Sequence, residues 1–389
     1  MKTALIACFV LMVCQTTAQN SAAPYLLTRT TGKLPALSYG LGEDRLGGAK
    51  IGYVDSNVLM RVVDSTRDMY TVQLSKLHKA YIERSYLKPD SAQKEKPFYL
   101  TNSFSVKGDS LYDYVGINME EKLPYRSYME INPSRIVVDI YGVQSNTNWI
   151  TQLTSLKEIK NVYYNQVEDD VLRVFIELQH KQHWGYSIGY KGKYLVIKVK
   201  RQPRKLDLRY LTIAIDAGHG GTNSGTGGVN AKYEEKYYTL LFAKALEKQL
   251  RKRGVKKIIM TRTTDTTFDN KDRILFLQQQ DPDFLISLHL NSSSNPEVNG
   301  VSTYYKHIGY RPLTQYILNR MLELKLNEFG NVGSFNFVLN SPTDFPNCLL
   351  EIAFLSNEAD EKKIIRSQFH DDVAKKVYAG MQDWLKGLK

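Results

Sequence analysis

The sequence predicts two textures in one chain: a β-rich N-terminal half, built as a small barrel plus a sandwich, and a C-terminal α/β domain with a mostly parallel sheet flanked by helices. Three observations carry this prediction. Short alternating apolar runs punctuated by Gly and Asp fill residues 34–200. Past the basic stretch Arg201-Gln202-Pro203-Arg204-Lys205, apolar runs alternate with amphipathic stretches of helical period. The length of 389 residues exceeds one ordinary domain.

Composition narrows the class. Apolar residues at 42% and charged residues at 24% match folded globular proteins and exclude a wholly disordered chain. No apolar run reaches the roughly 18 to 20 residues that cross a bilayer, so no transmembrane segment is expected. The net charge of +12 favours an acidic partner: nucleic acid, anionic lipid or an acidic envelope polymer. No nucleic-acid recognition motif supports the first of these.

The first residues set the expected compartment. Met1-Lys2 is followed by an unbroken apolar run from Ala4 to Cys14, then Gln15-Thr16-Thr17-Ala18 with small residues where a signal peptidase reads. Residues 1–18 are therefore expected to be a secretory signal peptide that takes the chain across the inner membrane to the periplasm or cell envelope. Leu11-Met12-Val13-Cys14 lacks the small residue expected before a lipidated cysteine. Loss of Cys8 and Cys14 with the signal would leave Cys348 alone, so no intramolecular disulfide is expected.

In residues 34–88, the runs at 48–53, 58–63, 70–74 and 80–82 have β character and close spacing, as in a small barrel, and their succession resembles a bacterial SH3-like module. Residues 88–97 are polar and bracketed by Pro89 and Pro97, which reads as a linker. Residues 97–200 are strand-rich again, with alternation at 135–141, 172–178 and 194–200, and resemble the AMIN-type β-sandwich. His180 and His183 stand three apart there. Without Cys or carboxylate partners near them in sequence, they are expected to be surface histidines.

The chemistry is expected in residues 206–389. Strand runs at 211–215, 257–260, 284–288 and 348–352 carry polar residues near their C-terminal ends, where open α/β sheets place their sites. Between the first two, Tyr238, Leu241, Phe242, Ala245, Leu246 and Leu250 mark a helix over 234–253 that Gly254 ends. A second helix is expected near 313–329. His219 follows the first strand, Glu235 opens the helix and His289 ends the third strand. Two imidazoles and one carboxylate, with a fourth position left for water, form a recurrent catalytic zinc shell. Glu234 is the alternative ligand one residue earlier. Glu351, a carboxylate inside an apolar strand, suits a general base, because an unpaired buried carboxylate costs several kcal/mol. The glycine cluster at 218–221 lacks the Gly-Lys-Ser/Thr ending of a phosphate loop, and Asn223 stands where a dinucleotide site needs its third glycine. No His-Glu-x-x-His helix is present.

Taken in order, Asp216-Ala217-Gly218-His219-Gly220-Gly221, Glu235-Lys236, Ser287-Leu288-His289-Leu290-Asn291 and Glu351-Ile352-Ala353-Phe354-Leu355-Ser356-Asn357 resemble the zinc-dependent N-acetylmuramoyl-L-alanine amidase family. Thr261-Arg262-Thr263-Thr264-Asp265 and the helix carrying Arg273 are similar to it as well. The resemblance implies one Zn²⁺ at His219, Glu235 and His289, with Glu351 as the catalytic carboxylate. It further implies cleavage of the amide between N-acetylmuramic acid and L-alanine in peptidoglycan, which is then substrate and anchor for an expected monomer. The chain departs from the family's pattern at Asn223, usually aspartate, and at Leu290, commonly alanine. The span 300–346 is too short to hold a long plugging helix. The need for a protein activator stays open. So do two rival readings: a wall-binding protein that has lost catalysis, and a zinc exopeptidase or other amide hydrolase.

Overall fold

The computed structural model describes residues 25–42, 46–92, 96–229 and 232–389; the signal-peptide expectation lies outside them. Strands β1 (Leu26–Thr30), β2 (Ala36–Ser38), β3 (Lys50–Tyr53), β4 (Leu59–Ser65), β5 (Met69–Gln73), β6 (Lys79–Glu83) and β7 (Leu87–Pro89) form one antiparallel sheet in the order β3-β2-β6-β5-β4-β1-β7. Alternate residues such as Leu37, Met60, Val72, Ala80 and Ile82 supply its core. The sheet begins at Leu26 rather than residue 34, because β1 pairs with both β4 and β7. The start of the expected linker is likewise part of the sheet: β7 is paired, and Asp90 takes the Arg29 guanidinium at 2.7 Å.

The next unit contains β8 (Tyr99–Gly108), β9 (Tyr112–Met119), β10 (Tyr125–Ile131), β11 (Ser134–Tyr141), β12 (Val143–Gln144), β13 (Ile150–Gln152), β14 (Ile159–Glu168), β15 (Val171–Leu178), β16 (Tyr186–Lys191) and β17 (Tyr194–Lys200). One sheet runs β10-β11-β15-β14 and the other β12-β8-β9-β17-β16, with β13 on β8. Phe104, Val115, Ile117, Val138, Val174 and Ile197 share one core, as the period-2 alternation requires.

The C-terminal domain contains β18 (Thr212–Ala217), α1 (Glu235–Lys252), β19 (Lys257–Met260), α2 (Asn270–Gln280), β20 (Phe284–Asn291), β21 (Val301–Tyr304), α3 (Arg311–Leu322), β22 (Glu328–Val332), β23 (Asn347–Phe354), α4 (Glu358–Ile364) and α5 (Ser367–Lys386). The sheet order is β19-β18-β20-β23-β21-β22. It is mixed: β18, β19, β20 and β23 pair in parallel, whereas β21 lies antiparallel to β23 and parallel to β22. Phe242 and Leu246 of α1, Ile317 of α3 and Val377 and Trp384 of α5 bury one face of the sheet. Leu277 of α2 packs on the other, against Ala214, Leu285 and Phe345. The helix expected over 313–329 stops at Leu322. Lys325 turns through the left-handed region (φ 57°), which a right-handed helix cannot follow, and Phe329 falls on strand β22.

The sandwich and the α/β domain interlock. Trp184 of the sandwich enters the α/β core, its ring 5.2 Å from that of Trp384, and Tyr310 of the α/β domain enters the sandwich core. Gln182 bridges the two, donating to Gly309 O at 2.8 Å and accepting from Trp384 Nε1 at 3.0 Å. His183 is therefore buried, not a surface histidine; its Nε2 lies 3.0 Å from Glu130 O, and Gly309 packs on its ring. Burial pushes its pKa down to about 4. The basic stretch 201–205 is also anchored. Arg201 holds Asp113 at 2.6 Å and Gln202 N donates to Glu158 at 3.1 Å. No helix among the described residues is long and apolar enough to cross a membrane.

Candidate metal centre and active site

The site lies at the C-terminal ends of β18 and β20, where the strands give way to loops. His219 sits in the turn after β18 with φ 62°, a left-handed conformation that a non-glycine residue adopts only when its surroundings impose it. Those surroundings are two buried arginines. Arg262 donates to Ala217 O at 2.9 Å, Gly218 O at 3.0 Å and Lys236 O at 2.6 Å. Arg273 donates to Ala217 O at 2.8 Å and also to His219 O. The Arg273 charge is balanced by Asp216, 2.5 Å away, which also accepts from Thr261 Oγ1 at 2.7 Å and Ser287 Oγ at 2.6 Å. Burial alone would raise the Asp216 pKa; Arg273 and these hydroxyls hold it below the usual carboxylate range.

Glu235, the first residue of α1, is 3% exposed. Its Oε2 accepts from Thr226 N at 2.9 Å and lies 3.1 Å from His219 Nε2. Its Oε1 accepts from Leu290 N at 2.9 Å and lies 3.0 Å from His289 Nδ1. Burial opposes ionisation here, yet the hydrogen bonds of the two histidines keep the Glu235 pKa far below the usual carboxylate value. Glu234, by contrast, has an exposed side chain beside Lys236. The structure thus brings His219, Glu235 and His289 together, each offering one ligand atom, and these atoms lie within 4.8 Å of one another. The nitrogen, nitrogen and carboxylate-oxygen donor set suits zinc.

Outer contacts fix the rings. Asn223 Oδ1 accepts from Gly225 N at 3.2 Å, so the His219 Nδ1 that faces it at 2.9 Å is the donor, and Nε2, on the Glu235 side, is the nitrogen that would face a metal. Gly218 is tight against His289: a Cβ there would lie 2.3 Å from the ring.

Glu351 is 6% exposed, in the middle of β23, and its register partner on β20 is His289. Adjacent strands run about 4.8 Å apart, so both side chains stand on the same face. On the other side, Ser302 of β21 is opposite Glu351, and Tyr304 Oη lies 3.3 Å from Ser302 Oγ. Burial raises the Tyr304 pKa, with the Glu351 carboxylate adding to it. His180 lies away from the centre, 2.7 Å from Glu158, and His183 is in the domain junction.

Sequence reasoning assigned no role to Asp216, Arg262, Arg273 or Tyr304. A charged residue inside an apolar strand had marked Glu351, and the same signal was present in Ile215-Asp216-Ala217.

Residues 213–383 match the family model described as N-acetylmuramoyl-L-alanine amidase, and residues 105–200 match the AMIN domain. The chain is similar to the probable cell wall amidase LytH of Staphylococcus aureus, 34% identical over 173 residues, which is 43% of this chain and 56% of that protein. It is 29% identical over 189 residues to the protein of the same name from Staphylococcus saprophyticus, covering 48% of this chain and 63% of the relative. It therefore spans less than two thirds of the length of these relatives. Among solved structures, the N-acetylmuramoyl-L-alanine amidase from Clostridium difficile 630 shares 30% identity, covering 46% of this chain and 100% of that one, with a TM-score of 0.45. The catalytic domain of CwlV from Bacillus (Paenibacillus) polymyxa shares 28% identity over 46% and 99%, with a TM-score of 0.42.

Proposed function

We propose that this chain, whose residues 213–383 belong to the N-acetylmuramoyl-L-alanine amidase family, is a peptidoglycan hydrolase that cuts the amide between N-acetylmuramic acid and L-alanine. The observation that carries the reading is the convergence of His219, Glu235 and His289, with Glu351 opposite His289 on the neighbouring strand. A zinc ion held by those three residues would polarise the scissile carbonyl and lower the pKa of the attacking water toward 7. Glu351 takes the proton of that water as its oxygen bonds to the carbonyl carbon. As the carbon–nitrogen bond breaks, Glu351 returns the proton to the L-alanine nitrogen. Asn223 holds the His219 tautomer. Arg262, Arg273 and Asp216 hold the turn that presents His219.

The β-rich half then serves as the anchor. Residues 97–200, within which 105–200 match the AMIN domain, would target the wall, and residues 34–88 would act as an SH3-like module. The working place is the periplasm or cell envelope, reached through the signal peptide at 1–18, and the chain works as a monomer.

The test is digestion of purified peptidoglycan by the mature protein, with and without a chelator, followed by mass analysis. Intact stem peptides beginning with L-alanine should appear only with zinc. Glu351→Gln should retain the metal and lose turnover, whereas His219→Ala should lose both. Substantial activity in Glu351→Gln would sink the assignment.

A further inference from the structure

The N-terminal sheet does more than sit beside the α/β domain. The segment Gly333-Ser334-Phe335-Asn336-Phe337 follows β22 and returns over Tyr304 of β21, which by strand alternation shares a face with Ser302 and its register partner Glu351. On that face, Phe335 and Phe337 pack on Tyr304 with ring centroids 4.9 and 5.1 Å away, and on each other at 4.5 Å. Both phenylalanines are only partly buried. Tyr304 in turn reaches Ser302, the register partner of Glu351. The loop therefore forms an aromatic wall two side chains away from the catalytic carboxylate.

The residue between the two phenylalanines points the other way. Asn336 Nδ2 donates to Leu46 O at 3.2 Å and Gly48 O at 3.0 Å, while its Oδ1 accepts from Lys50 N at 3.1 Å. One side chain thus saturates a stretch of N-terminal backbone as a strand partner would. Lys306 adds a bond to Lys50 O at 2.9 Å. The loop has little slack elsewhere: Ser334 is left-handed at φ 54°, and a Cβ on Gly333 would stand 2.5 Å from Tyr305 Oη.

We infer that the N-terminal sheet is a structural part of the substrate groove, and that Asn336 is the positioning residue that pins the Phe335–Phe337 wall for the saccharide part of the substrate. This rests on the amidase reading. The part of these aromatic rings left open by that packing can accept the apolar face of a sugar ring, and holding them in place beforehand removes an ordering cost on binding. Asn336 touches no reacting atom, so its loss acts on binding.

The test compares the full chain with Asn336→Ala, measuring kcat and KM on purified peptidoglycan and hydrogen exchange over residues 333–338. A rise in KM of about fivefold or more with kcat within about twofold, together with faster exchange in that loop, is the expected result. Phe335→Leu/Phe337→Leu, which leaves the Asn336 pin intact, should raise KM by a similar factor and serves if Asn336→Ala folds poorly. Wild-type activity with KM unchanged in both variants overturns the inference, as does a fall in kcat alone. Absence of amide cleavage by the zinc-loaded wild type would instead overturn the amidase reading, and this inference with it.

Discussion

Replacing Arg273 with methionine removes a charge while keeping most of the side-chain volume, in a place where the cost can be worked out. Arg273 and Asp216 have side chains 2% and 1% exposed and approach to 2.5 Å. Deleting one partner of a buried ion pair costs about 3–5 kcal/mol, because the other charge stays buried without compensation. Thr261 and Ser287 still donate to Asp216, which places the expectation near the lower end, about 3 kcal/mol. For a domain of this size that is a drop in Tm of roughly 6–12 °C. Loss of the bond to the His219 carbonyl should also weaken metal binding about tenfold or more, since outer contacts of this kind tune ligands by that amount. The assay is thermal unfolding of Arg273→Met, Asp216→Asn and the double variant, plus zinc affinity by chelator competition. The double variant should recover at least about 1 kcal/mol relative to additivity. The Asp216 pKa is depressed in the folded protein, so its stabilisation is present above the ordinary carboxylate range and lost as pH falls below it. Arg273→Met should blunt that acid limb. A Tm shift under about 2 °C, or strict additivity, would refute the reasoning.

Three further outcomes are expected. Gly218→Ala drives a Cβ to within 2.3 Å of the His289 ring, so zinc affinity should fall about tenfold or more in chelator competition; an unchanged affinity would show that the ring is not held there. Asn223→Asp places a charged acceptor on His219 Nδ1 and should tighten zinc by up to about tenfold, whereas weaker binding would reverse the assigned tautomer. His183 is neutral when buried and its pKa drops from 6.5 to about 4, so the unfolded chain binds more protons between those values. Stability should therefore be full above pH 6.5 and fall by roughly 3 kcal/mol toward pH 4. His183→Gln should flatten that slope in urea unfolding at pH 7 and pH 5, and an unaltered slope would exclude His183 as its source.

Local pattern was enough for much of this protein. Periods of 2 and 3.6 mark strands of the β-rich half and helix α1, because a half-buried strand and a half-buried helix each write their exposure into the spacing of apolar residues. The candidate residues that the fold brings together were legible too: His219 and His289 follow apolar strand runs and Glu235 opens a helix, while Glu351 is a carboxylate inside an apolar strand. Pattern failed where a residue's role depends on a distant partner. His183 was expected at the surface because no Cys or carboxylate partner stands near it in sequence, whereas Gly309 packs on its ring from the other domain. The helix expected to Phe329 ended early because a left-handed turn at Lys325 redirects the chain to the sheet edge. Strands β21 and β22, four and five residues long, carry too few residues for a periodic signal.

The sequence by itself determined the coarse fold class, a strand-rich half ahead of an α/β domain, and the residue types that could bind a metal, because these follow from backbone periodicity and side-chain chemistry. The mixed strand directions of the last sheet were not legible. Only the tertiary structure decided which charges are silent and which are aimed. It buried Asp216 with Arg273, left Glu234 at the surface, turned Asn336 toward the N-terminal sheet, and set His219 and His289 on the two oxygens of Glu235. Those outcomes depend on contacts between elements far apart in the chain, where burial and pairing are settled by packing rather than by neighbours in sequence.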